Sequence, residues 1–482
     1  LAGGGVSSDS VEVPSGPVKP IVYIVAFAAA TAGLLFGLDV GVISGAQQFL
    51  QVEYEAQGYQ VTDQVLEYIV SALLFGATFG AIGCGWISSS MGRKRTLMLS
   101  AIIFILGSIG CALAPSPNVL IAMRFFLGLA VGIASFVAPL YLSEVAPQRL
   151  RGGMVSMYQL MITIGILVAF ISDTYFAEYA VIGGEQGGHW RWMLGILVIP
   201  AAVMAMAVLT LPRSPRWLLL KGKEQEAREV LTRIRSLPEE IEGEIEAIKE
   251  DMKVPQNGFS LFKQNPHFRR AVYLGVGLQV IQQLTGINVI MYYAPRILET
   301  AGFASSEQQL WGTVVLGLVN VLSTFIAIAF VDRWGRKPIM YAGFVTMGLS
   351  MGAVGAAFGM ENASYLAVGG LIVFLIGFAM SAGPIVWILC SEIYPLNGRD
   401  FGITVSTATN WIVNGIVGIT FLKLLNGLGP SNTFFLYGGM EILFFIFFVL
   451  FVPETKGVSL EKIAANLLSG KPLREIGWVK EQ

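Results

Sequence analysis

Residues 278–296 read LQVIQQLTGINVIMYYAPR, which sets glutamine and asparagine amides and two phenols inside a segment otherwise apolar enough to sit in a bilayer. On a helix turning about 100° per residue, Gln279, Gln282, Gln283 and Tyr293 share one arc, while Asn288 and Tyr292 fall on the far side. A straight helix cannot aim all of them inward. Thr285-Gly286 lies between the two groups. Transporter folds place their sites where a membrane helix is locally unwound, so a break there would turn Asn288 toward the same cavity. Interhelical hydrogen bonding accounts for one amide in such a helix, not for two adjacent glutamines, an asparagine and a tyrosine pair. The stretch reads as a polar site in an apolar wall, and its ligand as neutral and rich in hydroxyls.

QQLTGINVIMYYAP resembles the seventh helix of the sugar porter family, within the major facilitator superfamily. The likeness continues along the chain and runs toward the family's bacterial galactose–proton and arabinose–proton symporters. It implies an all-α membrane protein of twelve transmembrane helices in two pseudo-symmetric six-helix bundles with short cytoplasmic helices. It also implies a monosaccharide and a proton as the species carried, and no cofactor.

Composition points the same way independently. With 54% hydrophobic and 13% charged residues in 482, the chain lacks the polar surface to cover a soluble domain. A net charge of −1 gives no basic field for nucleic acid. Cys84, Cys111 and Cys390 all fall inside apolar segments and suit packing rather than disulfides or a metal site. His189 and His267 lie 78 residues apart, so neither a metal cluster nor a histidine-based catalytic set is readable, and an enzyme is not expected.

Residues 1–20 lack the basic start, apolar run and cleavage signal of a secretory peptide and read as a flexible tail. Apolar runs follow at roughly 21–50, 66–90, 96–115, 118–142, 153–177 and 191–211, then at 271–297, 310–331, 338–359, 364–394, 401–428 and 432–452. Each is long enough to cross a hydrocarbon core of about 30 Å. The chain divides accordingly into a first bundle at 21–212, a polar linker with amphipathic helices at 213–269, a second bundle at 270–452 and a tail at 453–482. Arg93-Lys94-Arg95, Arg149, Arg151, Arg333, Arg336, Lys337 and Arg399 fall on one side with the linker, which makes that side and both termini cytoplasmic. A multi-pass protein of the plasma membrane, a bacterial inner membrane by the resemblance, is expected, working as a monomer in the lipid bilayer.

The halves repeat. Met91-Gly92-Arg93-Lys94 answers Trp334-Gly335-Arg336-Lys337, Glu144 and Arg151 answer Glu392 and Arg399, and Pro212-Arg213-Ser214-Pro215 answers Pro453-Glu454-Thr455-Lys456, at offsets of 243, 248 and 241. A near-constant offset at three helix ends is the mark of a duplicated six-helix unit. Gly76, Gly80, Gly128 and Gly132 form small-residue pairs that let helices approach closely.

Two charges stand alone in apolar runs. Asp39, in LLFGLDVGVISGA, costs about 2.5–3.5 kcal/mol at a bilayer centre, so it needs a partner or a proton, and Arg124, in IAMRFFLGLAVG, is the partner on offer. A titrating acid paired with an arginine is a plausible proton switch. Gln159, Asn410, Asn414, Trp387 and Trp411 are the remaining residues of sugar-binding type, since amides match hydroxyls and an indole face packs on the apolar face of a pyranose. The resemblance assigns the sugar contacts to Gln159, Gln282, Gln283, Asn288, Trp387 and Asn410. It gives the cavity lining and gates to Phe36, Tyr292, Tyr293, Gly383, Trp411 and Asn414, and proton coupling to Asp39 and Arg124.

At the inner face, Arg93, Glu144, Arg151, Arg336, Glu392 and Arg399 read as a salt-bridge latch holding the halves together, because acids seven residues before each arginine exceed a topology signal. Ser89 and Arg213 stand where the family usually has acids, so the first-half latch is looser or Arg213 pairs elsewhere. The reading is a proton-coupled monosaccharide symporter with a galactose- or glucose-type hexose favoured. The alternatives are an arabinose or xylose symporter, an uncoupled facilitator and, less favoured, a sugar sensor on the same fold.

Overall fold

The computed structural model describes residues 17–179, 189–253, 258–456, 458 and 460–477, without the side chains of 148–153, 155–156, 179, 251, 327–333 and 461. The first six spans are α1 (Pro20–Ala56), α2 (Asp63–Met91), α3 (Arg93–Ala112), α4 (Pro117–Val145), α5 (Gln148–Tyr179) and the pair α6 (His189–Gly195) and α7 (Val198–Thr210). Four short helices follow, α8 (Pro215–Leu220), α9 (Glu224–Ile234), α10 (Pro238–Met252) and α11 (Gly258–Gln264). The second six spans are α12 (Pro266–Leu284) with α13 (Ile287–Thr300), α14 (Ser306–Trp334), α15 (Arg336–Phe358), α16 (Ser364–Met380) with α17 (Ala382–Glu392), α18 (Arg399–Leu428) and α19 (Pro430–Phe451), before a terminal α20 (Leu460–Leu468). The molecule is a multi-pass membrane protein, all-α among the described residues, which include 12 helical segments long and apolar enough to span.

Besides the sixth span, split between α6 and α7, the seventh and tenth are interrupted at identifiable residues. The seventh stops at Leu284 and restarts at Ile287, because Gly286 takes φ 92°, a left-handed conformation that glycine adopts without strain. The tenth, read from the sequence as one run over 364–394, breaks at Ser381 (φ −127°, ψ −89°). The cause is Pro384, which has no N–H and whose ring crowds the carbonyl four residues back, at Met380, so the helix lets go there.

Packing differs between the halves. In the first, backbones touch: a Cβ on Gly37 would lie 1.9 Å from the Ile162 carbonyl oxygen, one on Gly128 2.1 Å from that of Leu73, and one on Gly132 2.1 Å from that of Ala77. Helix α1 is thereby seated on α5, and α2 on α4. In the second half, rings fill the seam between α15 and α19, with Tyr341 and Phe445 centroids 5.2 Å apart and Phe358 stacked on Phe434 at 5.2 Å.

The sequence repeat is also a repeat in space. Glu144 accepts from Arg93 (Nη2, 2.7 Å) and Ser214 (Oγ, 2.6 Å), and Glu392 from Arg336 (Nη2, 2.9 Å) and Thr455 (Oγ1, 2.5 Å). The linker helices bury apolar stripes, Ala227, Leu231 and Ile234 on α9 and Ile241, Ile245 and Ile248 on α10, while Met252 is exposed. Buried Arg235 ties them to the end of α4 through the carbonyls of Val145 (2.9 Å) and Ala146 (3.4 Å), whereas α11 packs Phe259 and Phe262 on Phe401 of α18.

Candidate functional site

The break in the seventh span organises a buried amide cluster. On α12, Gln279 and Gln282 both accept from Asn410 Nδ2 of α18, at 2.7 and 2.8 Å. Gln282 Nε2 in turn donates to the carbonyls of Ala382 and Gly383, at 2.9 and 3.1 Å, in the first turn of α17. Asn288, on the far arc of a straight helix, is brought round by Gly286 so that its Nδ2 donates to Gln283 Oε1 at 2.5 Å. One turn further, Tyr292 O–H donates to Asn414 Oδ1 at 3.2 Å and Tyr293 O–H to the Gly418 carbonyl at 2.9 Å.

The other sequence-designated residues flank this cluster. Phe36 of α1 meets Trp411 with centroids 5.2 Å apart, joining the halves through apolar rings. Trp387 is 37% exposed although it lies within the tenth span, and Gln159 is partly buried on α5. Neither touches the amide network by a hydrogen bond among the described residues. Gln279, fully buried, is a network member that the family assignment passes over.

Hydrogen bonds between halves gather at the end away from the arginine-rich loops. Gln47 Nε2 of α1 donates to the Tyr292 carbonyl at 2.7 Å, Asn426 Nδ2 to Asp63 at 2.6 Å, and buried Glu67 of α2 accepts from the Lys423 N–H at 3.2 Å. The outer ends are thus closed on each other. In the first half, Asp39 Oδ1 and Arg124 Nη1 form an ion pair at 2.7 Å with side chains 0% and 2% exposed. Arg124 Nε also reaches the Ile69 carbonyl at 3.3 Å.

At the inner face, with the outer ends together, the described pairs Arg93–Glu144 and Arg336–Glu392 each join helices of one half, and the Ser214 and Thr455 hydroxyls donate to the same two acids. Arg399 reaches the Tyr394 carbonyl at 3.5 Å, and the Arg151 side chain lies outside the described residues. Arg213 pairs with Glu226 of α9 at 2.9 Å. Hydrogen bonding from Lys223, aided by the charges of Lys223 and Arg213, holds the Glu226 carboxyl below its ordinary value.

Three further buried acids escaped the sequence reading. Asp173 of α5 accepts from the Gly45 N–H at 3.2 Å, Glu67 lies near the outer end of α2, and Glu441 of α19 is 1% exposed. Glu441 stands alone in GGMEILFF, so the rule that singled out Asp39 applies to it equally.

Comparison with known proteins places this geometry in context. The family model described as "Sugar (and other) transporter" matches residues 25–467. The galactose-proton symporter of Escherichia coli K12 is 54% identical over 463 residues, 95% of this chain and 97% of its own. The arabinose-proton symporter of the same strain is 49% identical over 94% of this chain and 95% of its own. Among solved structures, the partially occluded inward-open xylose transporter XylE from E. coli superposes with a TM-score of 0.81 at 29% identity, over 92% of this chain and 100% of that one. The proton:xylose symporter XylE bound to 6-bromo-6-deoxy-D-glucose gives a TM-score of 0.79 at 30% identity, over 95% and 98%.

Proposed function

The chain belongs to the sugar transporter family of the major facilitator superfamily, and on that premise we propose that it carries a monosaccharide into the cell together with a proton, by alternating access between its two halves. The observation that carries this reading is the amide cluster of Gln279, Gln282 and Asn410 at two broken helices, within an otherwise apolar wall. Amides offer both donors and acceptors, which is what vicinal hydroxyls require, and a neutral ligand needs no countercharge there. Gln159, Gln283, Asn288 and Trp387 complete the sugar contacts in this reading, and Phe36, Trp411, Tyr292 and Tyr293 the gates. The buried Asp39–Arg124 pair supplies the proton carrier. The protein functions as a monomer.

The sequence favours a hexose, but the relatives lean toward the pentose reading, since an arabinose symporter and a xylose transporter stand beside the galactose symporter. An amide set does not resolve one hydroxymethyl group, so we take arabinose or xylose as at least the equal of galactose. Uptake into proteoliposomes, with and without an imposed pH gradient, across a panel of hexoses and pentoses tests the proposal. Accumulation driven by an inward proton gradient supports it. Equilibration without accumulation makes the protein a facilitator, and no sugar flux at all removes the proposal.

A further inference from the structure

Resting on the sugar-transport reading, we propose that the outer end of the molecule carries a second sugar site, on α1, where a monosaccharide is held before the outer ends close on it. Ser44, Gln47, Gln48 and Gln51 are spaced i, i+3, i+4 and i+7, so they share one face of α1 over two turns. That face lines a cavity of about 50 Å³ between the halves, with Tyr293 and Arg296 of α13 and Gln309 of α14 on the other wall. Gln47 and Gln51 are answered, Gln47 Nε2 donating to the Tyr292 carbonyl at 2.7 Å and Gln51 Nε2 to Glu55 Oε1 at 3.1 Å and the Val61 carbonyl at 3.3 Å. Ser44 and Gln48 are not. Ser44 is 2% exposed and its Oγ has no hydrogen-bond partner among the described residues, and Gln48 Nε2 is buried in the same condition. A buried serine in a helix ordinarily turns back to a carbonyl of the preceding turn, as Ser172 does to Ala169 at 2.8 Å, so an open hydroxyl at Ser44 is unusual.

A buried polar atom without a partner costs stability, so side chains that carry one at a moving boundary are explained when the partner arrives in the other arrangement. The charged groups on the wall call for no ion. Arg296 pairs with Glu299 at 3.2 Å and reaches Asp63 at 3.9 Å, and Asp63 also accepts from Asn426 Nδ2 at 2.6 Å. What remains open is a hydroxyl and an amide nitrogen, which are the groups that meet the hydroxyls of a neutral sugar. With the outer ends together the cavity has room for a few waters and none for a pyranose. Because its walls come from both halves, parting the outer ends widens it. The place is distinct from the amide cluster: along the seventh span the cluster occupies 279–288, and the cavity wall begins at Tyr293, assigned above to the gate. A sugar arriving from outside therefore meets Ser44 and Gln48 before it passes Tyr293 to Gln282 and Asn410.

The test uses purified full-length protein carrying Gln51→Cys, in phosphatidylcholine nanodiscs, labelled by a membrane-impermeant maleimide while the native cysteines stay buried. D-galactose, L-arabinose and D-xylose are the probes, and the concentration that halves the labelling rate is the readout. The sugar that the protein accepts should protect the thiol, and should still do so when Gln282→Ala has weakened the amide cluster. In that background Gln48→Leu or Ser44→Ala should raise the half-protecting concentration roughly fivefold, the loss of about one hydrogen bond. Protection that vanishes with Gln282→Ala, or that neither outer substitution moves, overturns the proposal. Uptake into proteoliposomes from the same preparation separates it from the transport reading. Accumulation of a sugar that gives no protection removes the outer site and leaves transport standing, whereas protection weakened by Gln48→Leu in a protein without flux keeps the outer site and removes transport. Should Gln48→Leu fail to fold, an unchanged half-protecting concentration in Ser44→Ala overturns the proposal alone.

Discussion

Asp39 and Arg124 meet at 2.7 Å through Oδ1 and Nη1, while the second carboxylate oxygen of Asp39 is buried and makes no hydrogen bond among the described residues. The pair is half-satisfied, so protonating Asp39 releases the arginine without freeing any other donor. If a proton crosses with each sugar, a 100 mV potential contributes about 2.3 kcal/mol, or roughly fifty-fold accumulation at equal pH. Asparagine keeps the shape but cannot titrate. Asp39→Asn is expected to abolish uphill uptake while sparing sugar binding, as read by uncoupler-sensitive accumulation in proteoliposomes. Persistent pH-driven accumulation in that variant would move the proton to another group.

Asn410 supplies one amide nitrogen to two acceptors, Gln279 and Gln282. Truncating it removes a sugar contact in the proposed site and leaves two buried oxygens without their donor. Each net hydrogen bond is worth about 0.5–1.5 kcal/mol, so Asn410→Ala or Gln282→Ala should weaken sugar binding by roughly two- to twelvefold or more. Calorimetry on purified protein measures it. Affinity unchanged in both variants would place the sugar elsewhere.

Much of this was legible in the sequence, for identifiable reasons. The spans follow from hydropathy and length. The break at Thr285-Gly286 follows from amides that no straight helix could aim together, and the partnership of Asp39 with Arg124 from the cost of isolated charge in lipid. What was misread depends on rotation and reach. The tenth span yields at Ser381 because a proline acts on the carbonyl four residues upstream. Sequence shows the inner acids Glu144 and Glu392 but not that the hydroxyls of Ser214 and Thr455 donate to them. Asp173 sits close to the end of its apolar run, where nothing in the linear pattern says that the Gly45 backbone covers it.

The outer closure offers a third prediction. Glu67 is buried and meets both the backbone N–H and, at 3.7 Å, the ammonium of Lys423 across the halves. Glu67→Ala removes that tie and should raise the outward-open population several-fold, since the contact exists only when the outer ends are together. The native cysteines Cys84, Cys111 and Cys390 are buried, so thiol labelling of a Gln48→Cys reporter needs no cysteine-free background. Equal labelling rates with and without Glu67→Ala would reduce the tie to passive packing.

Backbone contact between helices gives a fourth. Gly37→Ala and Gly128→Ala each force a methyl into a carbonyl oxygen at 1.9 and 2.1 Å, while Gly352 has open space around its missing Cβ. Overpacking of this kind costs about 1–3 kcal/mol. The first two substitutions should lower the thermal midpoint in detergent, and Gly352→Ala should leave it within error. Equal midpoints for all three would mean that the helices separate freely to make room.

The glycine-to-carbonyl seams have a further consequence for how motion can be watched. Helices whose backbones already touch have no slack to slide, so α1 with α5, and α2 with α4, each turn as one piece, while the seventh and tenth spans carry breaks at Thr285-Gly286 and Ser381. Spin labels paired across either seam should therefore keep one distance throughout the transport cycle and serve as an internal ruler. Pairs that straddle Gly286 or Ser381 should show two distances, and the ratio of their populations would report the working state of the molecule.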